Sequence, residues 1–147
     1  MAFQKTITRS DSGVSANYWR LAGVFIDPVA KLTRLVLAGY VSADIRQRTG
    51  GQPIDTREFN LTPAQFVALA MAPAKGATAF DVIATSCYGH IAAAKRSAQQ
   101  QGFVFDPVSR SLTITATGEA IPESSIDFDA NDQPMWIPSE FADAAIV

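Results

Sequence analysis

A chain of 147 residues with 48% apolar and 18% charged side chains is long enough to bury one core without staples and too apolar to stay disordered. Its 12 bases and 14 acids leave a net charge of −2, which argues against broad electrostatic binding to nucleic acid, for which a clustered basic surface is needed. A single cysteine, Cys87, rules out an intrachain disulfide, and no apolar window approaches the ~20 residues that would span a membrane.

The leading MAFQKTITRSDSG has no apolar stretch of signal-peptide length, so residues 1–13 read as a polar N-terminal arm and the chain as made in the cytoplasm. From Ser15 the residues alternate, Tyr18, Arg20, Ala22 and Val24 against Trp19, Leu21, Gly23 and Phe25, which predicts a strand. On a regular strand Tyr18 and Trp19 point to opposite faces. One of the two therefore faces away from the sheet's first core and is available either to a second core layer or to a partner. Asp27-Pro28 ends the run: Pro presets the first turn position and Asp caps the turn through its side chain. Lys31 to Val41 is the predicted return strand.

Gly50-Gly51 and Pro53 mark an irregular excursion, and Ile54–Phe59 reads as a short third strand. Leu61-Thr62-Pro63 has the chemistry of a helix start, with Thr62 as N-cap, Pro63 at the first helical position and Gln65 at the capping-box position. Phe66, Leu69 and Ala70 form the apolar stripe of this short helix, and Pro73 with Gly76 ends it. A long helix is predicted from about Thr78 to Gln100, because Phe80, Ile83, Ala84, Cys87, Tyr88, Ile91 and Ala94 recur at spacings of three and four. Gly102 stops it.

Phe103–Gly118 then repeats the pattern of Val24–Tyr40: apolar run, Asp-Pro-Val, small residue, base, second run, Gly. A short hairpin loop demands these residue types, so convergent turn chemistry accounts for the likeness without an internal duplication. From Glu119 the chain changes character. Residues 119–147 hold Pro122, Pro134 and Pro138 and six further acids but no Lys or Arg. The large apolar residues Ile126, Phe128, Met135, Trp136, Ile137 and Phe141 are scattered through it. This composition reads as an acidic extended arm that lays anchors into pockets of its own domain or of a partner. The expected fold is α+β: antiparallel β-hairpins in a small sheet packed with one long and one short helix, residues 14–118 forming the domain.

The chemistry-bearing residues are sparse. His90 is the only histidine and stands three residues from Cys87 on one helix. A nucleophilic pair would need a third, orienting group, and the spacing equally fits two core-lining side chains. The acids of DFDANDQ (Asp127, Asp129, Asp132) resemble a calcium loop in part, but the turn Gly and the closing Glu of such a loop are missing. No phosphate-binding glycine motif occurs. The reading is therefore that no residue is catalytic, metal-binding or cofactor-binding. The interface candidates are Tyr18, Trp19, Arg46, Arg48, Phe128, Met135, Trp136, Ile137 and Phe141, since exposed aromatics and arginines are the usual anchors of protein contacts.

Ser12–Leu21, Ile45-Arg46-Gln47 and Pro53-Ile54-Asp55-Thr56 carry a further pattern. Together with a helix over Thr78–Gln100, these pieces resemble the small tail-region proteins of tailed bacteriophages. The resemblance covers roughly residues 10–100, and the extension from Gly102 departs from the short members of that group. It implies a non-enzymatic structural component of a virion tail or baseplate, with linkage of tail to fibres as one placement. The implied partners are other virion proteins and copies of itself, with no nucleic acid, membrane, cofactor or small-molecule substrate. The implied location is the virion, after synthesis in the host cytoplasm. Two alternatives of other classes stand beside it: a soluble intracellular phage or bacterial protein-binding module, and a small hydrolase with an unrecognised site, which turnover abolished by changing His90 or Cys87 would favour.

Overall fold

The structure, a computed structural model, describes residues 1–9, 11–48, 50–67, 76 and 78–147. Eleven strands among these residues form three antiparallel sheets. The largest contains β1 (Phe3–Thr8), β2 (Ser15–Asp27), β3 (Leu32–Tyr40), β4 (Asp55–Leu61) and β11 (Ala145–Ile146), in the order β11-β1-β2-β3-β4. A second is β5-β10-β9, from Lys95–Ser97, Pro134–Pro138 and Asp127–Phe128. The third is β6-β7-β8, from Phe103–Phe105, Leu112–Ile114 and Ala120–Ile121. The helices are α1 (Ala43–Gln47), α2 (Pro63–Val67) and α3 (Ala79–Ala93).

The first core lies between the five-stranded sheet and α3. Phe3, Trp19, Leu35 and Leu37 from the sheet meet Ala84, Cys87, Tyr88 and Ile91 of the helix stripe. Tyr88 shows how closely the two layers are tied. Its ring meets Phe3 edge-on at 4.8 Å, its hydroxyl donates to the Met1 carbonyl at 3.1 Å, and it accepts from the Leu21 N–H at 2.7 Å. Leu21 stands at the bulge of β2 opposite β3, where ladder pairing is interrupted and a side-chain partner replaces a backbone one. Phe80, expected in the stripe, is exposed. A second core gathers Ala98, Leu112, Ile114, Ile121, Ile126 and Ile137 between the two small sheets.

The α+β expectation is corrected. Among the described residues strand predominates over helix, and α3 is the one helix of seven residues or more. It is not a small sheet carrying one long and one short helix. The long helix ends at Ala93, not at Gln100: Lys95–Ser97 pair with Trp136–Pro138, and Arg96 fastens to the Pro138 carbonyl and to Glu119. Helix propensity in AAAKRSAQQQ is a weak preference, and the strand partner overrides it. The N-terminal residues are not an arm either. β1 sits between β11 and β2, and Ala2, Phe3 and Ile7 are buried. Nor is 119–147 an extended arm: it supplies β8, β9, β10 and β11 and closes both cores with Ile121, Ile126, Ile137 and Phe141.

The start of α2 follows its sequence chemistry. The Gln65 N–H donates to Thr62 Oγ1 at 3.3 Å, and Gln65 Oε1 accepts from the Thr62 N–H at 2.8 Å. Leu69, Ala70 and Pro73 lie outside the described residues, as does the side chain of Phe66.

Candidate functional site

The two Asp-Pro-Val segments build the same turn in two different sheets. Asp27 Oδ1 accepts from the N–H groups of Val29 and Ala30, each at 2.9 Å. Asp106 Oδ1 accepts from the Val108 N–H at 2.9 Å, and its Oδ2 accepts from the Ser109 hydroxyl. The base four residues after each Asp takes the left-handed conformation, with φ of 54° at both Lys31 and Arg110. This matches a four-residue loop that returns the chain into its strand. The likeness ends with the loop: β2 and β3 have 13 and 9 residues, β6 and β7 three each.

At the apex of the long hairpin the turn directs apolar side chains outward. Val29 is 92% exposed, and Phe25, Ile26 and Leu32 are also exposed. Phe25 is nonetheless held in place. Its ring lies against Gly23, 2.8 Å from where a Cβ would stand, and the Arg34 guanidinium sits 4.7 Å from the ring centroid. An aromatic side chain already held in one place loses little conformational freedom on docking. Sequence reasoning found this turn but not its exposed apex. The available signal was an Asp-Pro-Val turn flanked on both sides by large apolar residues.

The second turn is anchored differently. Arg110 donates from Nε to Glu123 Oε1 at 2.6 Å and from Nη2 to Asp132 Oδ1 at 2.7 Å, and its guanidinium stacks 4.5 Å from the Phe128 ring centroid. These hydrogen bonds hold the Asp132 carboxyl below its ordinary range. A depressed folded value means the clamp contributes fully above roughly pH 4, the usual unfolded carboxyl range, and is lost as pH falls through the lowered value. Arg110→Gln is expected to return the Asp132 titration to the ordinary range in carboxyl NMR. An unchanged titration would show that Arg110 is not the cause.

The acids of DFDANDQ are therefore occupied. Asp132 serves Arg110, Asp127 pairs with Lys95, and Asp129 caps its own turn through the N–H groups of Asn131 and Gln133. Among the described residues, no three His, Cys, Asp or Glu side chains stand together as metal ligands. Cys87 is enclosed in the first core, where burial pushes its thiol up and away from the reactive thiolate. His90 lines a groove at the end of α3.

That groove, about 870 Å³ in volume, runs between β4 and the C-terminal sheets. Arg57 organises one side. Its Nε donates to Glu140 Oε1 at 2.8 Å, and its Nη1 stands 2.7 Å from Asp55 Oδ2 as an ion pair without the alignment of a hydrogen bond. The same guanidinium lies 5.5 Å from the Trp19 ring centroid. On the other side Trp136, 41% exposed, is paired with Ser97 of β5.

The interface candidates divide accordingly. Met135 and Trp136 are exposed, Arg48 is exposed, and Tyr18, Arg46 and Phe128 are half-buried. Trp19, Ile137 and Phe141 are fully enclosed in the two cores, so none of them is available to a partner. Neither Arg46 nor Arg48 makes an ion pair among the described residues. Comparison with family models, with curated proteins and with solved structures finds no significant match to this chain. No helix among the described residues is long and apolar enough to cross a membrane.

Proposed function

We propose that this chain is a non-enzymatic assembly component of a bacteriophage virion, in the tail or baseplate, acting through protein–protein contacts with neighbours and copies of itself. The observation that carries this reading is the exposure of Phe25 and Leu32 on one face of the β2–β3 hairpin and of Val29 at its tip. Large apolar side chains exposed at the end of a hairpin favour association. In a symmetric assembly one modest patch is used many times, so each contact can be weak while the whole holds. The resemblance of residues 10–100 to phage tail-region proteins supplies the setting.

Light scattering tests the apex. The full chain is expected to exceed its monomer mass of 15.7 kDa at micromolar concentration. The double variant Phe25→Ser, Val29→Asp is expected to fall to that mass with its melting temperature nearly unchanged, because both side chains are exposed. Two monomers at every concentration would remove self-association through the apex.

A further inference from the structure

The charged side chains lining the 870 Å³ groove balance. Four are bases, Arg9, Arg57, Lys95 and Arg96, and four are acids, Asp11, Asp55, Glu58 and Glu140. Each also has a partner: Arg9 pairs with Asp11, Arg57 with both Asp55 and Glu140, Lys95 with Asp127, Arg96 with Glu119, and Glu58 with Arg34. A charged ligand finds no unpaired counter-ion among them. Apolar surface is equally sparse. Trp136 is the one large apolar lining side chain that is exposed, since Leu61 and Ile114 are buried and Phe59 packs against the first core.

Hydrogen-bonding groups stand around that indole with their capacity unused. Trp136 lies directly opposite Ser97 in the β5–β10 ladder, so both side chains leave the same face of that sheet. Gln100 and Gln101 follow Ser97 at once, in and just after the single helical turn Ala98–Gln100. Asn60 of β4 and His90 of α3 line the same groove. None of these five side chains, nor the indole N–H, has a hydrogen-bond partner among the described residues. A carboxamide or a hydroxyl offers donor and acceptor together, and an indole offers a flat apolar plate. A sugar ring is their complement, with adjacent hydroxyls that both donate and accept and an apolar C–H face. From these facts we infer that the groove binds a neutral oligosaccharide. One ring stacks on Trp136 with its hydroxyls bonded by Ser97, Gln100 and Gln101, and neighbouring rings reach Asn60 and His90. A bound peptide would need several apolar sockets for its side chains, and the groove exposes one large apolar group. The site is separate from the hairpin apex and does not depend on it.

The test is titration of the full chain with neutral oligomers of glucose, mannose, galactose and N-acetylglucosamine, and with heparin as a charged comparator, followed by calorimetry and tryptophan fluorescence. Trp19 is enclosed in the first core, so Trp136 supplies the signal. At least one neutral oligomer is expected to bind and shift the emission, with the same affinity at low and high salt because no charge is matched. Trp136→Ala is expected to weaken that binding about tenfold or more, and Trp136→Phe to retain most of it. Gln100→Ala with Gln101→Ala is expected to weaken it at an unchanged melting temperature, which decides the matter alone if Trp136→Ala does not fold. Phe25→Ser, Val29→Asp is expected to bind as the unaltered chain does. The inference is overturned if no neutral oligomer binds, if heparin alone binds, or if the Trp136 and Gln100/Gln101 variants bind unchanged. A chain that stays monomeric yet takes the sugar would remove the apex reading and leave this one standing.

Discussion

Deletion of residues 119–147 is expected to unfold the chain, not to release a folded monomer from an assembly. The segment carries Ile121, Ile126, Ile137 and Phe141, all buried. Burial of such a side chain is worth about 1.5–3 kcal/mol, so four together approach the 5–15 kcal/mol by which a typical domain is stable, an order-of-magnitude comparison. The deletion also strips β5 of its partner β10 and β1 of β11. It removes Glu140 and Asp143, the ion-pair partners of Arg57 and Lys5. Phe141 is the most costly single loss. It stacks on Phe3 at 5.0 Å and meets Trp19 edge-on at 5.3 Å, at the centre of the first core. Phe141→Ala alone is expected to cost about 3–5 kcal/mol. Urea titration followed by near- and far-UV circular dichroism checks both. A truncated chain that kept a cooperative transition near the full-length midpoint would show that residues 1–118 fold alone and that the segment is peripheral.

Gly39→Ala is expected to be among the most damaging single-methyl changes in the protein. Gly39 faces Trp19 directly across the β2–β3 ladder. An added Cβ would lie 2.7–2.9 Å from three carbons of the indole. The indole has nowhere to go: it is fully buried, its Nε1 donates to the Lys5 carbonyl at 3.0 Å, and Phe141 and Arg57 flank it. Overpacking of this kind costs about 1–3 kcal/mol, and Trp19→Ala, which leaves a cavity, about 3–5 kcal/mol. The pair is expected to be coupled. Trp19→Phe shortens the ring and should make Gly39→Ala less harmful, with an interaction energy on the order of 0.5–3 kcal/mol in a double-mutant cycle. Additive urea midpoints across the four chains would mean that the sheet relieves the clash without the indole.

The revised place of the C-terminal segment bears on function. An arm that docks on a neighbour would have made Trp136, Ile137 and Phe141 one continuous interface. Strand alternation and packing at home separate them: Ile137 and Phe141 turn inward, while Met135 and Trp136 remain outside. The large apolar residues left exposed include those at the hairpin apex together with Met135 and Trp136.

What the sequence determined by itself was local. The two Asp-Pro turns, the Thr62–Gln65 capping box, the β2–β3 hairpin and the buried stripe Ala84, Cys87, Tyr88 and Ile91 were all legible, because each is set by side-chain chemistry within a few residues or by periodicity over a long run. The short strands β5, β8, β9 and β11, by contrast, were settled by long-range packing. Two or three residues, as in β5, β9 or β11, carry no periodicity. Their conformation comes from the partner they pair with, 141 residues away in the case of Gln4 and Ala145. The same reason governs the surface. Whether Trp136 is an anchor, Trp19 a core residue or β4 an open edge depends on which distant segment lies alongside, and long-range packing, not local preference, makes that choice.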